Sequence, residues 1–266
     1  MLAAAIAIGV PVGLIMGLTG AGGGMLALSA LVLLLDWNMA QATPVALMAV
    51  TAGAFIGAID GLRKNLVRYR AALVMAVMGA PLAVVGVQVA RVLPQRWLMG
   101  SFALILVWVG IGLIRQHRHR AFDAESLHAL AYLNPLTGRF IWGKPTAMVI
   151  AAIGGMAGFM TGLLGVGGGF VIVPLLRRYT NLSMHAAVAT SLMTIGLVGS
   201  VGVATSLMHG VLLPEQFTKL FIGSTIAGML LGRRVVALLP AKTVQLAFAI
   251  LLLVVALSMI IKVFQA

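Results

Sequence analysis

The sequence contains no cysteine, and only five of its 266 residues are acidic. Without cysteine the chain has no disulfide bonds, no thiol nucleophile and no Cys-based metal site. None of the acidic residues lies at the centre of a predicted membrane span, so the carboxylate relay typical of proton- or sodium-coupled cation carriers is absent. The acidic residues are Asp36, Asp60, Asp123, Glu125 and Glu215.

The groups that enzymes use are also scarce. The sequence has no paired carboxylates, no histidine spacing suited to a metal ion and no nucleophile motif. It has glycine runs, but these lack the Gly-Lys-Ser/Thr of a P-loop and the strand context of a dinucleotide fold. We therefore expect no enzymatic activity, no metal and no cofactor.

Apolar residues dominate the composition. The chain is 62% hydrophobic and 9% charged, with a mean hydropathy of +1.13, which is typical of a polytopic protein whose core lies in lipid. The net charge of +13 could indicate nucleic-acid binding, but basic loops on the cytoplasmic side of a membrane explain it better. We predict an all-α integral protein of the cell (inner) membrane. Its surroundings are the lipid bilayer, and nucleic acid is not a partner.

A glycine motif occurs twice and interrupts a long apolar run each time. Residues 17–24 read Gly-Leu-Thr-Gly-Ala-Gly-Gly-Gly, and residues 162–169 read Gly-Leu-Leu-Gly-Val-Gly-Gly-Gly. The offset is 145 residues, and six of the eight positions are identical. Backbone N–H groups released by such a break inside a bilayer must face protein, water or a ligand. The motif predicts two paired helix breaks near the membrane midplane, both facing one central site.

The motif belongs to a longer internal repeat. We predict a first membrane repeat over 1–115, a cytoplasmic linker over 116–143 and a second membrane repeat over 144–266, with about five membrane helices or half-helices in each repeat. The apolar pieces beside the breaks are short for full spans, so they are either short crossings or re-entrant segments. Internal repeats of this length are typical of transporters, which enclose a substrate site between the two copies.

Basic residues predict the orientation of the repeats. If each repeat crosses five times, 14 of the 18 Lys and Arg residues lie in loops on one side of the membrane. The other side then holds Arg91, Arg96, Lys219 and Lys262. Because cytoplasmic loops are enriched in Lys and Arg, the two repeats are predicted to be inverted, with both termini outside the cytoplasm.

The glycine breaks offer what an anion needs. A helix N-terminus presents free N–H groups and a partial positive charge, and glycine lets a ligand approach the backbone closely. Hydroxyls near the breaks could donate further hydrogen bonds. The alternatives are that the glycines only pack helices and that the hydroxyls bond back to helix carbonyls. The candidate substrate-binding residues are Gly20, Gly22, Gly23, Gly24, Met25, Gly165, Gly167, Gly168, Gly169, Phe170, Thr43, Thr190 and Ser191.

Two further patterns receive structural interpretations. Small residues four apart let helices pack closely, so Gly9/Gly13/Gly17, Gly53/Gly57/Gly61 and Gly228/Gly232 are predicted packing positions. Asp60 precedes Arg63 and Lys64 by one helical turn, which predicts a local ion pair at the membrane interface.

These motifs resemble those of the sulfite exporter TauE/SafE family. The resemblance rests on the doubled glycine motif, on Pro174-Leu175 after its second copy and on Ala189-Thr190-Ser191-Leu192. It implies a membrane carrier of sulfite, sulfonates or related anions. In the first half Ser29 stands where Pro174 does, and Val45-Ala46 stand where Thr190-Ser191 do, so hydroxyls need not contribute symmetrically.

We predict a secondary transporter of a small sulfur-containing anion, held between the glycine breaks while one half rocks against the other. Two alternatives are an anion channel of the same fold and a non-transporting membrane assembly protein. The sequence leaves the oligomeric state open, and a homo-oligomer is compatible with it.

Overall fold

Helices make up almost all of the structure. The computed structural model describes residues 2–19, 23–118, 131, 140–208, 214–236 and 241–265, and this part of the chain has no β-strand beyond a single bridge between Ala131 and Thr180. In chain order its helices are α1 (Leu2–Thr19), α2 (Gly23–Leu34), α3 (Met39–Arg63), α4 (Tyr69–Val92), α5 (Gln95–Arg118), α6 (Lys144–Leu164), α7 (Gly169–Tyr179), α8 (Met184–Met208), α9 (Glu215–Val236) and α10 (Ala241–Gln265).

Seven of these helices are long and apolar enough to cross a membrane. This confirms the prediction of an all-α membrane protein. The seven are α1, α3, α4, α5, α6, α8 and α10. Helices α2 and α7 have 12 and 11 residues, or about 16–18 Å of helix, well short of a bilayer core of about 30 Å. Helix α9 is not among the seven; it carries Glu215 and Lys219 at one end and Arg233 and Arg234 at the other.

The helices of the two halves interleave. The most extensive helix pairs are α1 with α9 and α4 with α6, so the first membrane helix of each half packs on the fourth helix of the other half. Two further pairs, α3 with α8 and α5 with α10, join helices that occupy equivalent places in the two halves. The core therefore lies between the halves, and neither half packs as a separate unit.

Glycines permit the closest of these contacts. A Cβ added at Gly13 would overlap the Thr225 carbonyl of α9, and one added at Gly162 would overlap the Ala83 carbonyl of α4. The same holds for Gly228, where an added Cβ would overlap the Val10 carbonyl. Because backbone meets backbone at these points, no side chain fits. The predicted packing role of the glycines four apart is confirmed.

Two basic loops meet at one end of the helix bundle. Arg233 Nη1 at the end of α9 lies 2.9 Å from Asp60 Oδ2 at the end of α3. In the loop after α3, the Arg68 N–H donates to Thr190 Oγ1, near the start of α8, at 3.0 Å. The predicted pair between Asp60 and Lys64 is also present, at 3.0 Å.

At the opposite end of the helix bundle, α10 and α9 each contact the loop between α2 and α3. Lys262 Nζ lies 2.6 Å from Asp36 Oδ1, and the rings of Trp37 and Phe217 lie 5.0 Å apart. Most of the predicted linker 116–143 lies outside the described residues. One point of it is fixed, because the Ala131 N–H donates to the Tyr179 carbonyl at 3.2 Å.

Candidate functional site

The second glycine break has a backbone that only glycine adopts easily. Helix α6 ends in a left-handed cap at Gly165, whose N–H donates to the Thr161 carbonyl at 2.8 Å. Gly165, Gly167 and Gly168 have φ angles of 68°, 82° and 62°. Side chains with a Cβ pay a steric penalty of about 1–2 kcal/mol in that region. The helix resumes at Gly169.

The chain turns back on itself at this break. A Cβ added at Gly168 would lie 2.6 Å from the Ala157 carbonyl oxygen and 2.8 Å from Thr161 Oγ1. Ala157 lies seven residues before the end of α6, about 10 Å along the helix. The N-terminus of α7 therefore sits beside α6, and α6 and α7 form a hairpin with a short second arm.

The first break meets the second. Helix α1 ends at Thr19 and α2 begins at Gly23; the predicted site residues Gly20 and Gly22 between them lie outside the described residues. A Cβ added at Gly23 would overlap the Met16 side chain, and one added at Gly24 would overlap the carbonyl of Val166 in the second break. The two segments, 145 residues apart in sequence, are thus in direct contact.

The start of α2 lies against the Val166 carbonyl, three residues before the start of α7, in a buried environment. Residues 23–25 and 165–170 are all buried, with Met25 0% and Phe170 6% exposed. In the described part of the chain, no hydrogen bond uses the N–H groups of Gly169 or Phe170. Each helix N-terminus carries about half a positive charge. A helix N-terminus held out of water favours a negative charge beside it.

The central helices of both halves flank the second break. A Cβ added at Gly167 would lie 2.9 Å from Val50 Cγ1 on α3 and 2.9 Å from Ile195 Cγ2 on α8. Sequence reasoning missed both side chains. The two side chains occupy matching positions of the repeat, 145 residues apart. Both are ordinary apolar residues, so the sequence carries no signal that would single them out.

The predicted hydroxyls separate into two groups. Thr43 lies at the second break. A Cβ added at Gly165 would overlap the Thr43 side chain and lie 2.8 Å from the Thr43 carbonyl oxygen. Thr190 is fully buried and accepts from the Arg68 N–H, and Ser191 donates to the Val188 carbonyl at 2.8 Å. No hydrogen bond in the described residues joins Thr190 or Ser191 to a break. Of the predicted hydroxyl residues, Thr43 is the one whose side chain contacts a glycine of the second break, through its Cγ2 methyl.

The helices and their paired breaks define a multi-pass membrane protein of the transporter class. The chain belongs to the sulfite exporter TauE/SafE family, whose sequence profile matches residues 5–259. This family consists of membrane transporters rather than enzymes, so the protein is a membrane transporter and its surroundings include the lipid bilayer.

Relatives with curated names agree with this class. A probable membrane transporter protein of Xylella fastidiosa (strain 9a5c) is 29% identical over 189 residues, covering 71% of this chain and 67% of that protein. The probable membrane transporter protein YunE of Bacillus subtilis (strain 168) is 21% identical over 262 residues, covering 96% of both chains. No solved structure matches the chain significantly.

Proposed function

We propose that the protein is a secondary transporter that moves a small sulfur-containing anion, such as sulfite, a sulfonate or a similar oxyanion, across the cytoplasmic membrane. The observation that carries this proposal is the contact of Gly24 with the Val166 carbonyl, which joins the start of α2 to the glycine segment that leads into α7. The TauE/SafE family, named for sulfite export, supports the substrate class.

The proposed site binds its anion through backbone rather than charged side chains. The N–H groups at Gly169 and Phe170, with their counterparts at the start of α2, donate to the oxyanion. Hydrogen bonds to a charged group contribute about 1.5–3 kcal/mol each. Because the flanking Val50 and Ile195 are apolar, competition from water is small. This arrangement avoids burying a Lys or Arg whose charge would remain after the anion leaves.

The proposed orientation places both termini outside the cytoplasm and the two repeats inverted. It is supported by the contacts that join basic loops at one end of the bundle, among them Asp60–Arg233 and Arg68–Thr190. Cytoplasmic loops carry such an excess of Lys and Arg. A reporter fused after Ala266 tests this orientation: activity of a reporter that works only in the cytoplasm contradicts it.

Flux into proteoliposomes tests the transport reaction. Purified protein is assayed with sulfite, sulfate, thiosulfate and small sulfonates, with and without a pH gradient. We expect at least one sulfur oxyanion to accumulate against its gradient when a driving force is applied. An anion channel would only let the gradient dissipate, and a membrane assembly protein would give no solute flux; either result overturns the proposal.

A further inference from the structure

A cavity of about 90 Å³ opens beside the second break. It lies between the start of α3, the end of α4 and the end of α8, at the end of the bundle opposite the basic loops. Its wall is mostly apolar, and its polar residues are Thr43, Arg91 and Ser206. The volume equals that of about three water molecules, which suits a small oxyanion.

Arg91 gives this cavity a positive charge that nothing in the described residues balances. The side chain is exposed in the last turn of α4, and it forms no ion pair or hydrogen bond within the described part of the chain. The cavity lining includes no acidic residue. An anion that approaches from this end therefore meets a cation that has no protein partner.

Thr43 connects the cavity to the glycine break. It lines the cavity and packs against Gly165. Its hydroxyl makes no hydrogen bond within the described residues, unlike that of Ser206, which donates to the Gly202 carbonyl at 2.9 Å. Leu163 also lines the cavity, two residues before Gly165. Thr43 thus contacts both the cavity and the glycine break, and its hydroxyl is free to bind a ligand.

We propose that Arg91 and Thr43 form a second anion-binding position, an outer capture site from which a small oxyanion passes to the glycine breaks. This inference rests on the proposed function. The guanidinium attracts and orients the oxyanion, and the Thr43 hydroxyl donates to it on the way to α7. The site favours anions by charge, and its small volume disfavours bulky organic sulfonates.

Sulfite uptake by proteoliposomes tests the capture site through Arg91→Gln and Arg91→Lys. The matched control is Arg96→Gln, which removes an exposed arginine in the first turn of α5 that does not line the cavity. We expect Arg91→Gln to raise the KM for sulfite about 5-fold, the scale of a solvent-exposed charge contact, with little change in the maximal rate. Arg91→Lys should recover most of the loss, and Arg96→Gln should leave KM unchanged.

Salt dependence adds a second readout. Wild-type KM should rise with ionic strength as the guanidinium is screened, and Arg91→Gln should flatten that rise. An unchanged KM in Arg91→Gln, or equal shifts in Arg91→Gln and Arg96→Gln, overturns the capture site while leaving the proposed transport intact.

Sulfite binding to detergent-solubilised protein separates the two proposals. If the wild type moves no sulfur anion, the proposed function fails. In that case, a loss of sulfite affinity in Arg91→Gln would still support the outer capture site. An unchanged affinity would overturn the capture site in addition to the proposed function. If Arg91→Gln inserts poorly, Thr43→Val replaces it in the uptake and binding assays, where a raised KM supports the capture site and an unchanged KM overturns it.

Discussion

Asp60 Oδ2 lies 2.9 Å from Arg233 Nη1 and 3.0 Å from Lys64 Nζ, so one carboxylate joins α3 to α9 across the two halves. Arg233 also donates from Nη2 to the Gly57 carbonyl at 3.4 Å. The Arg233 side chain is 25% exposed and that of Asp60 41%. This pair is therefore better shielded from water than a surface ion pair, and it closes the basic end of the bundle.

Asp60→Asn should lower the free energy of unfolding in detergent by about 1 kcal/mol, because two cations lose their shared anion. The control is Glu215→Gln, which breaks a fully exposed pair with Lys219 one turn away and should have a smaller effect. Thermal unfolding measures both. Equal decreases in the unfolding temperature of the two variants would contradict the role of Asp60 in joining α3 to α9. Loss of proton-coupled flux with normal expression would instead make Asp60 a proton relay.

Gly228→Ala and Gly223→Ala test glycine packing on one helix. An added methyl at Gly228 overlaps the Val10 carbonyl of α1, whereas nothing lies within 4 Å of the same position at Gly223. Overpacking typically destabilises by about 1–3 kcal/mol, and alanine in a helix interior is favoured over glycine by about 1 kcal/mol. We expect Gly228→Ala to lower the unfolding temperature and Gly223→Ala to preserve or raise it. Similar behaviour of the two variants would refute backbone contact between α1 and α9.

Thr43→Val removes a hydroxyl and keeps the Cγ2 methyl that packs against Gly165. If the hydroxyl serves the anion, sulfite should protect the variant less against thermal unfolding than it protects wild type, because stabilisation by a ligand of the folded state falls as its affinity falls. Ser200→Ala is the control, since the Ser200 hydroxyl donates to the Gly196 carbonyl of its own helix at 2.8 Å. If sulfite stabilises Thr43→Val as much as it stabilises wild type, Thr43 is not part of the anion site.

Gly23→Ala and Gly168→Ala address the breaks directly. Both should unfold at lower temperature than wild type, because each added methyl meets protein atoms and Gly168 also has a φ of 62°. Stability alone therefore cannot distinguish packing from anion binding at these positions. The informative quantity is the extra stability that sulfite confers on variants that still fold. We expect it to fall in both, and undiminished protection in both would leave the glycines as packing devices.

Local sequence signals anticipated the breaks and the close helix contacts. A glycine run permits positive φ angles, and glycines four apart permit close contact between helix backbones. Both effects depend on residues within one or two helical turns of each other, so the local sequence predicts them. The partner of Asp60 escaped prediction, because Arg233 lies 173 residues away and no local pattern sets how α9 meets α3. Helix α1 is apolar on every side, so its hydropathy does not indicate a packing face, and only its glycines do. The cavity at Arg91 arises from several helices and has no sequence motif of its own.

The pairing of α1 with α9 also fixes an order of events during synthesis. Residues 20–214 separate the two helices, and a ribosome adding about 5–20 residues per second takes roughly 10–40 s to make them. Throughout that interval the glycine-lined face of α1 resides in the membrane before its partner has been translated. Helix α1 therefore waits for most of the synthesis of this chain before it reaches its final neighbour, and a chain truncated before α9 leaves that face open to other helices in the bilayer.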